Sequence, residues 1–314
     1  MFTGWLNLPK NGQEISDVIV SFDFQTLERK PVIKSDLIRK FALARNRTAV
    51  KIVEKIPERG GVLQAEAVDK MLISAHCEMQ RISEEFQHGR RVAELLKPIL
   101  KTLRDNGKKR RIRIVDIGCG TGFVLRWLSA HNSPGENVEL IGADFNAALI
   151  SEADRLAKKE NLNCRFLVAN AFQLNHPADI YLSTGILHHF RDDALTELFK
   201  QQNRAETDAF VHFDFRPSFF APFGSWLFHA VRMREPLAKH DGVLSAIRAY
   251  KSRELLKRAK AAAPDFVSAI YGTKLWGLPV PRVFHALVGI RAAYENDFLS
   301  NFGKRRITTL GVTK

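Results

Sequence analysis

The stretch Val-Asp-Ile-Gly-Cys-Gly-Thr-Gly at residues 115–122 has the residue types that hold a ligand against the backbone. Gly118, Gly120 and Gly122 carry no Cβ atom, so a ligand can approach their peptide groups closely. A β-branched run before them predicts a buried strand, and residues 123–130 predict a helix. Because a helix N-terminus presents unpaired N–H groups, the pattern predicts a ligand-binding turn between a strand and a helix.

The spacing of these glycines excludes two common classes of ligand site. A dinucleotide fingerprint, Gly-x-Gly-x-x-Gly, needs its third glycine one residue later, where this chain has Phe123. A phosphate-binding P-loop ends in Gly-Lys-Ser or Gly-Lys-Thr, and the chain has neither sequence. The turn is therefore predicted to bind a ligand that is neither a dinucleotide nor a P-loop nucleotide.

The turn closely resembles the first motif of the class I S-adenosylmethionine-dependent methyltransferases, an acidic residue followed by Gly-x-Gly-x-Gly. The resemblance implies that the glycine backbone lies against the methionine part of S-adenosylmethionine and that Asp116 helps to fix the turn. Cys119 stands where the family frequently has a small residue, so we expect it to fill space inside the cofactor site.

Two later segments fit the same family. Asp144 ends a predicted strand about 20 residues beyond the glycines, where a nucleotide-type fold has its ribose-binding acid. Phe145 is then expected to lie on one face of the adenine. Asn170 and Ala171 follow a third predicted strand and resemble the adenine-contacting acid-Ala pair, with Asn170 where an Asp is commoner. The alternative role for Asp144 is to cap a helix N-terminus.

A fourth marker is the sequence that runs from Ser183 and Thr184 into Leu-His-His-Phe. It resembles the end of the fourth strand in small-molecule methyltransferases, and it implies that Ser183 and Thr184 border the cofactor. His188 or His189 is a candidate general base, because histidine titrates near neutral pH; a structural role in the turn is the alternative. The Asn/Asp-Pro-Pro-aromatic sequence of amino-group methyltransferases is missing, which counts against methylation of a nucleobase or a glutamine amide.

The elements that must position these residues predict an α/β protein. We expect a doubly wound, Rossmann-like sheet of seven strands, mostly parallel with an antiparallel final strand. We also expect a mainly helical N-terminal extension and a helical insertion before the sixth strand. The predicted segments are an accessory region at residues 1–105, mostly helical after residue 35, a methyltransferase domain at 106–291 with its insertion at about 217–262, and a C-terminal tail at 292–314.

The composition is that of a soluble globular protein, with 45% hydrophobic and 26% charged residues. Cys77, Cys119 and Cys164 form no Cys-x-x-Cys pair, so we expect neither a disulfide framework nor a zinc site. The N-terminus lacks the pattern of a signal peptide, and the expected location is cytoplasmic. Transfer from an activated sulfonium depends mainly on alignment, so no metal is expected.

The predicted insertion is rich in aromatic and large apolar residues, namely Phe219, Phe220, Phe223, Trp226, Leu227, Phe228 and Met233. These residues could simply pack on the sheet. They could instead line an apolar acceptor pocket, or touch a membrane surface to collect a lipophilic substrate. The longest apolar stretch, residues 219–231, is too short for a transmembrane segment, so any membrane contact would be peripheral.

The net charge of +14 is the main argument for a nucleic-acid substrate. The densest basic run, Lys-Lys-Arg-Arg-Ile-Arg at residues 108–113, could bind phosphates electrostatically. Basic residues are nevertheless spread along the chain, so nucleic acid is not favoured, and anionic phospholipid would explain the charge equally well. The sequence gives no indication of the oligomeric state.

We therefore predict an enzyme that transfers a methyl group from S-adenosylmethionine to a small, partly apolar acceptor, at oxygen. One alternative is an RNA or ribosome methyltransferase, which the positive charge favours. Another is a non-catalytic partner protein that binds S-adenosylmethionine. The joint presence of the glycine motif and Asp144 counts against this second alternative, because a protein without the activity has no need to keep them together.

Overall fold

The computed structural model describes residues 12–23, 25–173, 177–272 and 283–303. The chain divides into two compact units. We call the first the accessory unit; it comprises the described residues of Met1–Arg81 and Pro217–Ala249. The second, the sheet unit, comprises those of Ile82–Arg216 and Tyr250–Lys314. The division into three segments remains a prediction, and residues 304–314 of the proposed tail lie outside the described residues.

The described residues form helices and strands in the following order along the chain. The helices are α1 (Lys34–Leu43), α2 (Arg47–Glu54), α3 (Ala65–Glu85), α4 (His88–Asp105), α5 (Phe123–Ala130), α6 (Ala147–Lys159), α7 (Asp192–Gln202), α8 (Ala221–Arg232), α9 (Pro236–Arg248), α10 (Ser252–Ala262) and α11 (Glu295–Phe302). The strands are β1 (Glu58–Arg59), β2 (Val62–Leu63), β3 (Ile112–Ile117), β4 (Val138–Asp144), β5 (Arg165–Val168), β6 (Ile180–Thr184), β7 (Ala209–Phe215), β8 (Phe266–Gly272) and β9 (Phe284–Arg291). Short 3₁₀ helices lie at Leu187–His189 and Ala292–Tyr294.

A seven-stranded sheet with the order β5-β4-β3-β6-β7-β9-β8 forms the centre of the sheet unit. The pairs from β5 to β7 are parallel, and β9 is antiparallel to both β7 and β8. The predicted α/β fold is therefore confirmed, including the antiparallel final strand. The helical insertion is confirmed as well, because α8, α9 and α10 all lie between β7 and β8.

The sheet is covered by helices because its central strands are apolar on both faces. Val115 and Ile117 face a core cluster that includes Leu198 of α7 and Leu255 of α10. Successive side chains of a strand point to opposite faces, so Ile114 of β3 faces the other side. There α4 packs against α5, α11 and β7. The sheet is thus held rigidly between two helical layers, and its strand ends are fixed in space.

The accessory unit is built from helices and a short hairpin of β1 and β2. α1 packs on α2, and α8 packs on α9. Asn46 caps α2, because its side-chain oxygen accepts a hydrogen bond from the Ala49 N–H at 3.0 Å. Buried charges are paired: Arg248 Nη1 lies 3.1 Å from Glu14 and 2.6 Å from Asp17. In the described part of the chain, no helix has the length and apolar character needed to cross a membrane.

Candidate active site

The glycine turn follows β3, as predicted, and its backbone requires glycine. Gly118, Gly120 and Gly122 have φ angles of +65°, +54° and +72°, which L-residues with a Cβ atom rarely adopt. A Cβ atom on Gly118 would lie 2.7 Å from Ile186 Cγ2, and one on Gly122 would collide with the ring of Phe166. The positive φ angles and the lack of room for a Cβ atom at Gly118 and Gly122 therefore both require glycine. The contact of Gly118 with Ile186 also places the turn against the segment that follows β6.

The turn lies at the switch point of the sheet. The chain runs from β3 to β4 on one side and reaches β6 on the other side of β3. In open α/β sheets, ligands bind in the crevice at the carboxyl ends of the strands where the order reverses. The structure therefore brings the predicted residues that follow β3, β4, β5 and β6 to one edge of the sheet.

Asp144 at the end of β4 holds the glycine turn in place. Its carboxylate accepts hydrogen bonds from the Gly120 N–H at 3.0 Å and from the Asn146 N–H at 2.9 Å. The N-cap of α6 is Asn146, whose side chain accepts from the Ala148 N–H at 2.9 Å. The alternative of a capping role for Asp144 is therefore not what the structure shows. Ribose binding by Asp144 remains a prediction.

Asp116 is buried beside Asp144 near the end of β3. Burial, and then the negative charge of Asp144, raise the pKa of Asp116 well above its usual range. Its Oδ1 atom has no hydrogen-bond partner among the described residues. A buried carboxyl with an unsatisfied oxygen either holds a proton or requires a cationic or donor group from a ligand.

Cys119 packs inside the turn. Its Sγ atom lies 2.8 Å from the place where a Cβ atom on Gly142 of β4 would be, so the sulfur occupies space that this glycine leaves open. Burial, followed by the charges of Asp144 and Asp116, raises the pKa of the Cys119 thiol well above its usual range. The thiol therefore stays protonated, and its packing fits the predicted space-filling role.

The residues predicted at the adenine lie beyond β4 and β5. Phe145 is 45% exposed, which leaves ring surface available at this edge. Asn170 Oδ1 accepts a hydrogen bond from the Phe172 N–H at 2.9 Å, so this side chain stabilises its own loop. Asn170 and Ala171 are both half-buried. Their contacts with adenine remain a prediction.

Ser183 and Thr184 at the end of β6 point in opposite directions. Ser183 is buried, and its hydroxyl lies 2.7 Å from His212 Nδ1 on β7. His212 Nε2 lies 2.8 Å from Gln202 Oε1 and donates to it, so Nδ1 accepts from Ser183. Burial lowers the pKa of His212 to about 3 and keeps the ring neutral. Thr184 Oγ1 has no partner among the described residues, and its contact with the cofactor remains a prediction.

His188 forms a buried pair with Asp214 of β7, a residue that the sequence reasoning missed. His188 Nδ1 lies 2.8 Å from Asp214 Oδ1, and Asp214 Oδ2 accepts from the His188 backbone N–H at 3.0 Å. Burial alone would raise the pKa of Asp214, but the charge of His188 and hydrogen bonds from His188 and Phe215 lower it below its usual value. The sequence signal for Asp214 was an acid near the end of a strand whose other residues, apart from His212, are apolar.

This pairing fixes the chemistry available to His188. An ionised carboxylate can only accept, so Nδ1 donates, and in the neutral ring the lone pair resides on Nε2. A histidine held in this tautomer by a carboxylate has the arrangement of a general base. His189 is half-buried, and its ring centroid lies 4.3 Å from that of His188.

Comparisons with known proteins bear on the family of this chain. Residues 114–206 match the family model of a methyltransferase domain. A demethylmenaquinone methyltransferase from Thermus thermophilus is 30% identical over 167 residues, which cover 48% of this chain and 73% of that protein.

Two solved methyltransferase structures are similar to this chain at low sequence identity. The plantazolicin methyltransferase BpumL, solved in complex with a monoazolic desmethylPZN analog and SAH, is 16% identical, with a TM-score of 0.52 over 82% of this chain and 99% of that one. Magnesium protoporphyrin IX methyltransferase (ChlM) from Synechocystis PCC 6803 is 16% identical, with a TM-score of 0.46 over 73% of this chain and 100% of that one. The matched segment contains the glycine turn, Asp144 and the Leu-His-His-Phe sequence. From the site, the domain match and the curated relative together, we conclude that the chain is an enzyme of the class I S-adenosylmethionine-dependent methyltransferase family.

Proposed function

We propose that this enzyme methylates a small, partly apolar acceptor at an oxygen atom, with His188 as general base and Asp214 as its positioning residue. One observation carries the proposal: Gly118 packs against Ile186, two residues before His188. This contact sets the His188–Asp214 pair next to the turn that we assign to the methyl donor. A base at this place can take the acceptor proton as the methyl group arrives.

The residues at the sheet edge fit the parts of S-adenosylmethionine. Gly118, Gly120 and Gly122 would receive the methionine part, and the orphaned Oδ1 of Asp116 offers an acceptor for its ammonium group. Asp144 accepts hydrogen bonds from two backbone N–H groups of the turn region, and its carboxylate would also hold the two ribose hydroxyls.

The other predicted residues complete this assignment. Phe145, Asn170 and Ala171 would surround the adenine, with Cys119 as packing. Thr184 would border the reacting centre. Ser183 precedes it in β6, and its hydroxyl is hydrogen-bonded to His212 inside the sheet unit. No metal has a part in this proposal.

The surroundings of His188 favour an apolar acceptor. Ile186, Phe172 and Phe190 are half-buried around the same strand ends, and the rings of Phe172 and Phe190 lie 5.2 Å apart. The ring of Phe215 lies 5.7 Å from that of His188. The name of the Thermus thermophilus relative, which acts on demethylmenaquinone, supports an acceptor with an apolar part. A lipophilic acceptor would also make peripheral membrane contact useful.

The proposed mechanism assigns one task to each side chain of the pair. S-adenosylmethionine supplies a methyl group that is already activated by its sulfonium. His188 Nε2 accepts the proton from the acceptor hydroxyl, and Asp214 stabilises the resulting imidazolium through Nδ1. The apolar surroundings exclude water from the oxygen that is methylated.

Nucleic acid is the second candidate acceptor, and the structure gives a reason to rank it lower. In the basic run, Lys108 Nζ lies 2.6 Å from Asp179 and also pairs with Asp208, while Arg110 Nη1 donates to Asp179 at 2.9 Å. The hydrogen bond to Asp179 raises the pKa of the Arg110 guanidinium. These cations are neutralised by neighbouring acids, which reduces their attraction for phosphates.

The acceptor class can be tested with a tritiated methyl donor. Cell extract is incubated with the enzyme and labelled S-adenosylmethionine and is then separated into lipid, small-molecule, RNA and protein fractions. We expect label in the lipid or small-molecule fraction. Because the proposed acceptor is a hydroxyl, the product is a methyl ether, and the label should resist the mild base that cleaves methyl esters. Label in the RNA fraction alone would contradict the proposal. The enzyme with His188→Ala serves as the control for background transfer.

The donor site can be tested by calorimetric titration with S-adenosylmethionine. We expect Asp144→Ala to weaken binding by about 100-fold, because it removes charge-assisted hydrogen bonds to the ribose and to the turn. Glu136→Ala, an exposed acid just before β4, is the matched control and should bind like the wild type. Unchanged affinity in Asp144→Ala would remove Asp144 from the proposed site.

A further inference from the structure

The outer face of α8 carries large apolar side chains that are exposed and do not belong to the buried core. Five large side chains at and just before this helix are exposed: Phe219 (87%), Phe220 (70%), Phe223 (54%), Leu227 (49%) and Val231 (73%). With 100° between successive helical residues, the last four, from Phe220 to Val231, fall on one side of the helix. A soluble monomer seldom leaves so many large apolar side chains together in water, so this surface indicates an interaction.

The opposite face of α8 is fixed within the accessory unit. Ser225 Oγ donates to the Gly242 carbonyl of α9 at 2.7 Å. His229 packs so closely on α9 that a Cβ atom on Gly242 would collide with its ring. Burial lowers the pKa of His229, which keeps it neutral in this contact. Because Ser225 and His229 fix the side of α8 that contacts α9, the exposed apolar side chains on the other side point away from α9.

A basic pocket lies beside the same helix. It has a volume of about 760 Å³ and includes Trp226 and Ala230 of α8 in its wall. Its cationic side chains are Arg45, Arg47, Lys51, Lys55 and Lys239. Glu235 is its one acidic lining residue among the described residues, and Ile52, Ile56 and Met71 supply apolar surface. The pocket thus combines positive charge with an apolar wall.

The cations of this pocket differ from those of the basic run before β3. Lys108 and Arg110 are paired with acids. For Arg45, Arg47 and Lys51, no carboxylate lies within ion-pair distance in the described part of the chain. Cations without acidic partners retain their attraction for an external anion.

We propose that the accessory unit docks on a bilayer that contains anionic phospholipid. The outer face of α8 enters the boundary between headgroups and acyl chains, and the basic pocket receives the phosphate groups. Amphipathic helices with aromatic residues on one side and cations nearby bind membranes in this orientation, through apolar burial and attraction to anionic lipids together. This inference goes beyond the proposed function, because it rests on α8 and the pocket and not on the methyl-transfer site.

Sedimentation with vesicles tests the docking directly. The full chain is mixed with vesicles of phosphatidylcholine alone and of phosphatidylcholine with phosphatidylglycerol. We expect binding to the anionic vesicles that weakens as salt is added, and little binding to the neutral ones. Failure to bind the anionic vesicles, or equal binding to both kinds at every salt concentration, would overturn the proposal.

Two pairs of variants separate the apolar contribution from the charge contribution. We expect Phe220→Ser with Phe223→Ser, and separately Arg47→Gln with Lys51→Gln, each to weaken binding to anionic vesicles by about tenfold or more. The matched controls are Leu43→Ser, an 80% exposed leucine on α1, and Lys40→Gln with Lys70→Gln, which removes the same charge outside the pocket. Controls that weaken binding as much as the test variants would overturn the assignment of the surface.

A second copy of the chain is the competing occupant of the outer face. Light scattering of the wild type and of Val231→Ser distinguishes it from a membrane. A dimer that Val231→Ser dissociates, in a protein that binds no vesicles, would overturn the proposal. Monomers in both cases, with vesicle binding weakened in Val231→Ser, support it. The affinity for S-adenosylmethionine should be unchanged in these variants. This control shows that a loss of vesicle binding is independent of the methyl-transfer site.

Discussion

Asp214 determines what His188 can do at the residue scale. Its two oxygens bind the side chain and the backbone N–H of His188, so the imidazole has one tautomer and one orientation. The donor–acceptor distances of 2.8 and 3.0 Å are those of well-formed hydrogen bonds. A base that is oriented before the acceptor arrives loses little entropy during the reaction.

We expect His188→Ala to lower kcat by about 100-fold or more, because general bases typically contribute this much. The affinity for S-adenosylmethionine should stay unchanged, since His188 lies outside the donor turn. Asp214→Asn should lower kcat by a similar factor and leave the acceptor KM close to the wild-type value, because an amide no longer fixes the tautomer or stabilises the imidazolium. Steady-state kinetics and calorimetry measure these quantities.

His189→Ala is the control for this pair. His189 is half-buried and stands beside His188, and we expect its variant to keep most of the activity. Full activity in His188→Ala and Asp214→Asn would instead mean that alignment alone drives the transfer. In that case His188 would have the structural role in the turn that the sequence offered as the alternative.

At the element scale, the connection between β3 and α5 depends on its glycines for two separate reasons. Gly122 has a positive φ, and in addition the ring of Phe166 occupies the space of a Cβ atom. Gly107, just after α4, has a φ of +85° but no atom within 4 Å of a Cβ position. These two glycines allow the conformational and packing contributions to be separated.

We expect Gly107→Ala to lower the free energy of unfolding by about 1–2 kcal/mol, the cost of a left-handed residue with a Cβ atom. Gly122→Ala should lower it by about 1–3 kcal/mol more, because the added methyl group displaces Phe166. It should also weaken S-adenosylmethionine binding, whereas Gly107→Ala should not. Urea unfolding and calorimetry measure both effects, and equal destabilisation by the two variants would contradict the packing argument.

At the scale of the whole molecule, the sheet unit buries several histidines in neutral form. Burial lowers the pKa of His88 and of His212 to about 3 and that of His285 to about 4. In the unfolded chain these residues have the ordinary histidine pKa of about 6.5. Below that pH the unfolded chain therefore binds protons that the folded protein does not bind.

This difference predicts acid sensitivity with a definite sign. Above about pH 6.5 these histidines are neutral in both states and the pKa shifts have no effect on stability, whereas as the pH falls toward 4 they destabilise the folded protein progressively. The loss should reach about 1.4 kcal/mol per pH unit for each histidine, hence about 4 kcal/mol per unit for the three. Urea unfolding between pH 7.5 and about 5 measures the slope, and a pH-independent stability would contradict it.

His88→Phe provides a sharper test of the same argument. Both ring nitrogens of His88 lack partners among the described residues, and its ring contacts Phe284 edge-on at 4.5 Å. A phenylalanine of similar shape removes these unsatisfied nitrogens, so we expect unchanged or higher stability at pH 7 and a slope smaller by about 1.4 kcal/mol per pH unit. His131→Phe, at an exposed position, should leave the slope unchanged.

The sequence alone predicted the fold and the glycine turn well, because both follow from local patterns. Three glycines at alternate positions can be read directly, and the strand and helix around them have the periodicity that their burial requires. The strand ending at Asp144 and the helix Phe123–Ala130 begin and end where the sequence indicated. Such features depend on neighbours in the chain and not on distant contacts.

The tertiary structure alone decided the remaining parts of the site. Asp214 is 26 residues from His188 in the chain, and only the parallel pairing of β6 with β7 brings them together. In the same way Ser183 reaches His212, and the basic run before β3 meets Asp179 and Asp208. The sequence therefore determined the donor and the family, because a glycine turn is a local conformational requirement. The His188–Asp214 pair, the ion pairs of the basic run and the exposed face of α8 depend on which distant segments pack together, and no local sequence pattern encodes that.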